Sequence, residues 1–245
     1  DGTGFTVLHA FGATTSGANV TPPTNADGIA PLGALVQAPD GYFYGTTSRG
    51  GTTGYGTIFR VRFDGTGFGL VRTFPVLTQA TTSDPLINAD GAVPLAGLTD
   101  GRDGRLYGVA SAGGSNGFGT IFAYDPVGGV FNVLHNFDGN KGAQPSGELL
   151  LAQDGKLYGT TATGGTDDKG AATLFGTIFS IARDGTGFTS IHSFEGSDGS
   201  SPSGRLLQLN PTTFVGITQS GGRCSQGTVY QLSLTGATTK GVTNC

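Results

Sequence analysis

Few residues of this chain could take part in acid–base or metal chemistry. The histidines number three, His9, His135 and His192. Three imidazoles are enough to ligate a zinc ion if they converge on it. These histidines, however, share one position of an internal repeat, and Arg72 fills that position in the remaining copy. Equivalent positions of a repeat lie a whole structural unit apart, so we interpret these side chains as packing residues and predict no metal site from them.

Glu148 and Arg205 occupy equivalent positions in two consecutive repeat units, where the other two units carry Ala34 and Gly97. A carboxyl group beside a guanidinium group could act as a catalytic acid or base next to a cationic stabiliser. The same two residues could instead form an ion pair that joins two units. No second carboxylate is paired with Glu148 in the way that glycoside hydrolysis usually requires. Both interpretations remain open.

Other candidates lie in the loops of the repeat. Tyr55, Phe118 and Phe175 each precede the glycine of a recurring GTIF motif. Exposed, these rings could stack on sugar rings; buried, they would wedge between units. Arg49 and Arg223 lie in corresponding loops of the first and last units, where they either form a basic pocket for a carboxylate or sulfate group or stay solvated.

Two acidic loop residues, Asp27 and Asp90, belong to the duplicated segment Asn-Ala-Asp-Gly. Oxygen-rich loops of this kind can hold calcium. The dense D-x-D-x-D spacing of calcium loops is missing, so the segment favours turn formation. We therefore predict no cofactor and leave only a structural Ca²⁺ open.

An internal repeat is the strongest signal in the sequence. An FxxxxxF segment is followed by a proline, a YGTT-like motif thirteen residues after the proline, and a GTIF-like motif. Four units share a 51-residue core, and extra residues occur only in the segments 12–30, 75–93 and 159–175. The prolines that mark the four units are Pro31, Pro94, Pro145 and Pro202.

Each unit predicts four short β-strands, rich in β-branched and aromatic residues and joined by Asp-Gly turns. Four antiparallel strands in tandem repeats predict an all-β fold, a four-bladed β-propeller that forms a single domain over residues 1–245. The chain starts with the last strand of a unit, so we predict that residues 5–11 pair with Thr228–Ser233 and close the ring. The predicted blades are 31–74, 94–137, 145–194, and 202–233 with 5–11, followed by a C-terminal tail, 234–245.

The three insertions belong to two kinds of connection, between strands two and three and between consecutive blades. In a propeller these connections share one face, which we call the insertion-bearing face. Loops on a rigid scaffold carry function more often than core strands do. This face is therefore the predicted working surface, unless the insertions only cap the edges of the blades.

Composition and cysteine content limit the partners and the compartment. Net charge is −4 with a pI of about 5.2, which argues against a surface for nucleic acid or anionic membranes. No apolar run approaches the ~18 residues of a membrane span. Cys224 and Cys245 are the only cysteines, and we predict that they form a disulfide in an oxidising compartment. The familiar motifs of serine hydrolases, zinc proteases and P-loop enzymes are absent.

The third unit carries PSGELLLAQDGKLYGTT and GTIF between Pro145 and Phe179, and GTGFTSIHSF from Gly185 to Phe194. This pattern resembles the extracellular tandem repeats called GloVer or choice-of-anchor repeats, over nearly the whole chain from Gly4 to about Leu234. The resemblance implies a secreted or surface-anchored bacterial protein of propeller type and transfers no catalytic residues. The fourth unit departs most, since Val215 replaces the tyrosine of YGTT.

From these observations we expect a secreted or cell-surface propeller that binds a glycan or another cell-surface component on the insertion-bearing face. One alternative is a polysaccharide lyase or glycoside hydrolase that acts on an acidic polysaccharide. A second alternative is a structural or assembly module. The sequence predicts no nucleic-acid partner and leaves the oligomeric state open.

Overall fold

The computed structural model describes residues 3–14, 22–79, 81–167 and 169–235. Within these ranges the chain forms seventeen β-strands in four antiparallel sheets, and it contains no helix. Accordingly, no described segment is a helix of the length and apolar character needed to cross a membrane. The predicted all-β, antiparallel character is confirmed.

The strands follow the chain from sheet to sheet. The first sheet contains β1 (Ile29–Pro31), β2 (Val36–Gln37), β3 (Phe43–Arg49), β4 (Thr57–Val61) and β5 (Gly69–Thr73). The second contains β6 (Thr99–Asp100), β7 (Leu106–Ala110), β8 (Thr120–Tyr124) and β9 (Phe131–Asn136). The third contains β10 (Ala143–Pro145), β11 (Leu150–Leu151), β12 (Leu157–Thr163), β13 (Thr177–Ile181) and β14 (Thr189–Ser193). The fourth contains β15 (Ser200–Asn210), β16 (Thr213–Ser220) and β17 (Thr228–Ser233).

The first three sheets each run from a two-residue inner strand to a longer outer strand, whereas the inner strand of the fourth sheet, β15, has 11 residues. The inner strands β2, β6, β11 and the long β15 contact one another in succession, so the four sheets stand side by side around a common centre. In the first three sheets the pairing of the GTIF strand with the outer strand shifts at the same place, after Ile58, Ile121 and Ile178. The extra residue lies in the outer strand, and such a bulge bends and twists a strand locally. The repeated sequence is thus accompanied by a repeated backbone irregularity.

Asp-Gly turns join the inner strand to the next strand in the first three sheets. Gly41, Gly104 and Gly155 have φ values of +83°, +85° and +80°, a conformation that side chains other than glycine rarely adopt. The aspartate of each pair accepts a hydrogen bond from the tyrosine of the YGTT motif four residues later. The three bonds are Tyr44 to Asp40 at 2.7 Å, Tyr107 to Asp103 at 2.8 Å and Tyr158 to Asp154 at 2.8 Å.

The hydrophobic core consists of three clusters, and each cluster lies between two consecutive sheets. The first joins residues such as Ile58 and Phe74 to Leu98 and Phe122. The second and third repeat this arrangement between sheets two and three and between sheets three and four. Since large buried apolar side chains provide most of the stabilisation, each sheet depends mainly on its neighbours.

In every unit the connection that precedes the sheet lies beside the connection between its second and third strands. One backbone hydrogen bond joins the two connections in each unit. These bonds run from Asn25 to Gly51, from Asn88 to Gly114, from Gly165 to Gly139 and from Gly222 to Gly196. The described parts of the three insertions therefore belong to connections that share one face.

The predicted closure by the N-terminal strand is not confirmed. The fourth sheet has three strands, and no pairing joins residues 5–11 to Thr228–Ser233. The N-terminal segment lies against the first sheet instead: the rings of Phe11 and Phe59 are 5.3 Å apart, and those of His9 and Phe68 are 3.4 Å apart. These aromatic contacts hold the segment on the first sheet without any strand pairing.

Candidate functional site

A histidine or arginine pairs with an aspartate on the insertion-bearing face where one unit meets the next. His9 Nε2 lies 2.9 Å from Asp27 Oδ2, and His192 Nε2 lies 2.7 Å from Asp198 Oδ2. Arg72 forms an ion pair with Asp90 at the same position. Burial raises the pKa of Asp198, but the hydrogen bonds from His192 and from the Glu195 backbone outweigh it, so the pKa is lowered overall. The histidines thus lie apart, each in its own unit, as expected for packing residues.

The position that His135 occupies is the exception among the four. Lys141 stands where the other units carry aspartate, and the buried Nε2 of His135 has no hydrogen-bond partner. Desolvation is the main cause that lowers the pKa of His135 to about 4; the charge of Asp138 opposes the change and the charge of Lys141 adds to it. His135 is therefore neutral at physiological pH.

The duplicated Asn-Ala-Asp-Gly segments form turns. Asn25 accepts from the Gly28 N–H at 2.7 Å, and Asn88 accepts from the Gly91 N–H at 2.7 Å. The carboxylates of Asp27 and Asp90 are committed to the pairs with His9 and Arg72. Across residues 3–14, 22–79, 81–167 and 169–235, no three His, Cys, Asp or Glu side chains are grouped so that they could hold a metal ion.

The three aromatic residues before the GTIF glycine lie between sheets. Tyr55 packs against the cluster that joins sheets one and two. Phe118 and Phe175 are partly exposed, and each ring faces a glycine of the following connection, Gly139 and Gly196 respectively. These positions bring the rings to the junctions of the insertion-bearing face but not into a common cavity.

The remaining predicted loop residues are dispersed. Arg49 is exposed at the end of β3, and Arg223 is exposed after β16 in the fourth sheet. The predicted disulfide of Cys224 involves Cys245, which lies outside the described residues.

Glu148 and Arg205 meet at the centre of the molecule, with Arg205 Nη1 3.2 Å from Glu148 Oε1. They line an axial cavity of about 330 Å³. Desolvation raises the pKa of Glu148, and the charge of Arg205 partly counteracts the rise. Asp100 and Arg102 line the same cavity. The cavity therefore holds two acidic and two basic side chains from three sheets.

A larger groove of about 650 Å³ lies at the outer rim of the third sheet. We call it the rim groove. Strand β14, the outermost strand of its sheet, forms one wall. Asn140 and Lys141 come from the connection that precedes the sheet, and Thr166 and Asp167 come from the insertion 159–175. Phe188 and Glu195 complete the lining at the two ends of β14.

Sequence reasoning did not find the rim groove. None of Arg49, Tyr55, Phe118, Phe175 and Arg223 lines it. Its one sequence signal is Lys141, since a lysine replaces the aspartate of the other units at that position. Asp100 and Arg102 were also missed, because they are separated in sequence from Glu148 and only the arrangement of inner strands brings them to one cavity.

The family model of the Gloeobacter/Verrucomicrobia repeat matches residues 1–175 and, in a second overlapping match, residues 75–244. The chain belongs to this repeat family. Among curated proteins, no similar sequence was found.

Solved structures similar to this repeat protein include two named as gluconolactonases. One has a TM-score of 0.55 and 18% identity over 89% of this chain and 65% of its own. The other, from Xanthomonas campestris, has a TM-score of 0.50 and 14% identity over 89% of this chain and 62% of its own. TolB from Acinetobacter baumannii matches with a TM-score of 0.49 and 15% identity over 87% of this chain. The chain spans 44% of that TolB, less than half of its length. The two structures named as gluconolactonases are propeller-like, and at such identities the likeness shows the fold alone.

Proposed function

We propose that this repeat protein is a secreted or cell-surface module that binds a glycan in the rim groove. The observation that carries the proposal is the groove itself, because it lies on the insertion-bearing face and one insertion contributes to its lining. Its volume of about 650 Å³ is within the usual range for ligand sites.

The chemistry of the lining suits a hydroxyl-rich ligand. Asn140, Thr166 and Ser190 offer neutral hydrogen-bonding groups, while Lys141 and Asp167 add one charge of each sign. β14 lies at the edge of its sheet, so its outer backbone N–H and C=O groups are free of strand pairing. Phe188, whose ring stacks on His135, adds an apolar side chain to the lining.

Glycan-array screening followed by titration calorimetry tests the proposal. We expect Asn140→Ala and Lys141→Ala each to weaken binding about tenfold, as the loss of one hydrogen bond to a ligand does. Lys156→Ala is the matched control, because Lys156 is exposed in an Asp-Gly turn away from the groove. Binding that survives both groove variants but disappears in Arg49→Ala or Tyr55→Ala would refute the rim groove as the site.

The axial cavity supports a second candidate, an enzyme that cleaves an acidic polysaccharide. Glu148 has a raised pKa beside Arg205, which is the combination of a proton donor and a cationic stabiliser. The test is incubation with acidic polysaccharides, read by the absorbance of unsaturated uronates and by new reducing ends. The enzyme hypothesis expects products that disappear in Glu148→Gln; no products, or products unchanged in that variant, reject it.

The proposed extracellular location rests on the repeat family and on the predicted Cys224–Cys245 disulfide. A mass measurement without reductant checks the disulfide, because two thiols would each react with an alkylating reagent. We expect no alkylation before reduction and two additions afterwards. If neither a glycan nor a polysaccharide product is found, the third hypothesis, a structural or assembly module, is favoured.

A further inference from the structure

We propose that the fourth sheet of one chain docks against the first sheet of a second copy, whose residues 5–11 then pair with the free edge of β17. The described residues form three interfaces between consecutive sheets, and among these residues no other sheet covers the outer face of either end sheet. The two uncovered faces carry the residues that fill the interior interfaces. This contact is independent of the glycan site.

The uncovered face of the fourth sheet is apolar at positions that are buried elsewhere. Ile58, Ile121 and Ile178 occupy one position of the GTIF strand and have no solvent exposure. Val229 occupies the same position in β17 and is 65% exposed. A Cβ atom added at Gly147 would lie 2.3 Å from the Gly204 carbonyl oxygen, whereas one added at Gly204 would meet nothing within 4 Å. The next sheet is therefore missing from this face.

The uncovered face of the first sheet is complementary. Leu98, Leu149 and Leu206 share a position on the inner strand and are at most 3% exposed. Leu35 holds this position in the first sheet and is 50% exposed. A contact between the two end sheets would bury Val229 and Leu35 in the arrangement that the three interior interfaces already show.

One backbone hydrogen bond recurs at each interface between consecutive sheets. In the two end sheets, its donor residue lies on the first sheet and its acceptor residue lies on the fourth. Val93, Gln144 and Ser201 precede the repeat prolines, have φ values of +57°, +55° and +54°, and donate to the carbonyls of Tyr55, Phe118 and Phe175. Ala30 has the same strained conformation, with φ of +58°. The equivalent acceptor is the Gln226 carbonyl, and no bond joins Ala30 to Gln226 within the chain. A second copy would supply the acceptor that Ala30 lacks.

The stacking of a histidine or arginine on a phenylalanine of the next outer strand is also missing at the fourth sheet. His9 stacks on Phe68, Arg72 lies over the Phe131 ring at 4.6 Å, and His135 stacks on Phe188. The described residues place no phenylalanine of a following outer strand on His192. Phe5, which holds the equivalent ring position, is 86% exposed. In the proposed contact the second copy's Phe5 stacks on His192.

The free edge of β17 is the second part of the proposed contact, because residues 5–11 of the second copy would pair with it. The other three sheets have an outer strand beyond the GTIF strand, and the fourth has none. The pairings in those sheets set the register: Arg60 with Gly69, Ala123 with Asn132, and Ser180 with Thr189. By the same register, Thr6 of the second copy pairs with Gln231. An exposed edge strand readily pairs with another chain.

A second copy fits better than the chain's own N-terminus. Residues 5–11 already lie on the first sheet, held by the contacts of His9 with Asp27 and of Phe11 with Phe59, and they are not paired with β17. A second copy can therefore dock as a rigid body with its first sheet and its N-terminal segment together, which keeps the entropic cost of binding low.

Sedimentation velocity over a range of concentrations tests the contact. We expect the wild-type chain to self-associate and Val229→Asp to weaken the association by about tenfold or more. Val127→Asp is the matched control, since Val127 is exposed in the turn between β8 and β9 and lies on neither end face. At concentrations at which the wild-type chain is monomeric, both variants should keep the wild-type unfolding midpoint, because both side chains are exposed in the single chain. A wild-type chain that stays monomeric at all concentrations would overturn the proposal.

Disulfide crosslinking distinguishes whether the strand that pairs with β17 comes from a second copy or from the same chain. Mixing Thr6→Cys with Gln231→Cys should give a disulfide-linked dimer, and neither variant alone should give that product. The double variant in one chain, kept dilute, is the counterpart experiment. If it crosslinks within the monomer while the mixed single variants do not, the chain closes on itself and the second-copy contact is refuted.

Discussion

One position of the repeat carries three histidines and one arginine. His9, Arg72 and His192 each contact an aspartate, whereas Lys141 takes the place of that aspartate in the unit of His135. Burial lowers the pKa of His135 to about 4 and favours the neutral imidazole. The third unit therefore lacks the aspartate contact of the other units, and its Lys141 lines the rim groove instead.

The free energy of unfolding of the chain should decrease as the pH is lowered, because of His135. Its folded pKa of about 4 lies below the ordinary value of 6.5, so the unfolded state binds the proton first as the pH falls through this interval. This contribution to the free energy of unfolding is fully present above about pH 6.5 and is lost as the pH falls towards 4; it amounts to on the order of 3 kcal/mol. Urea unfolding at several pH values, with NMR titration of the three histidines, measures both effects.

Lys141→Asp should reverse this behaviour. It restores the carboxylate of the other units, so the pKa of His135 should rise from about 4 and the loss of stability between pH 6.5 and 4 should shrink. Lys156→Asp adds the same charge change at an exposed turn and should leave the His135 titration unchanged. An unaltered His135 pKa in Lys141→Asp would mean that residue 141 does not face the imidazole.

At the scale of the strand pair, the tyrosine–aspartate bond ties each Asp-Gly turn to the following strand. The fourth sheet lacks this bond, since Val215 replaces the tyrosine, and it carries Tyr230 where the other sheets have phenylalanine. The buried hydroxyl of Tyr230 has no hydrogen-bond partner, and burial raises its pKa. The hydroxyl group of Tyr158 is thus hydrogen-bonded, whereas the hydroxyl group of Tyr230 is not.

Removing the two hydroxyl groups should therefore have opposite effects. Tyr158→Phe leaves Asp154 without its donor and should lower the free energy of unfolding by about 1 kcal/mol. Tyr230→Phe removes an unsatisfied buried hydroxyl and should raise the free energy of unfolding by about 1 kcal/mol. Chemical denaturation of both variants measures the difference, and equal effects would contradict the assigned hydrogen bonding.

The sequence predicts this local structure well because its causes are local. Asp-Gly turns, the β-branched strands and the repeated GTIF motif depend on neighbouring residues, and the sheets follow them. The cavities depend on contacts between distant residues, so the sequence did not reveal the rim groove or the place of Asp100 and Arg102. The predicted closure is not confirmed for the same reason: the number of strands in a unit does not determine whether the first and last sheets meet.

For the whole molecule, the stability of each sheet depends on the neighbouring sheets with which it shares a hydrophobic cluster. The second and third sheets are each covered on both faces, while the first and fourth are each covered on one face by another sheet. In such arrays, stability is close to a sum of nearest-neighbour interactions, and opening begins where a neighbour is missing.

Hydrogen exchange should show this gradient under conditions in which the chain is monomeric. We expect amides of β7, β8, β12 and β13 to be the most protected and those of β16 and β17 to exchange faster. The comparison uses backbone amides that are hydrogen-bonded within sheets, so solvent exposure of the loops does not enter. Equal protection in all four sheets would indicate that the chain unfolds as one cooperative unit.

The shared clusters also bear on how such a chain can change in evolution. Each cluster takes one half of its residues from each of two successive sheets, so duplication of one unit adds a sheet and a complete new cluster in the same event. The added unit finds matching apolar partners on both sides from the start. Gene duplication can therefore lengthen the protein by whole units without an intermediate that exposes a half-formed core.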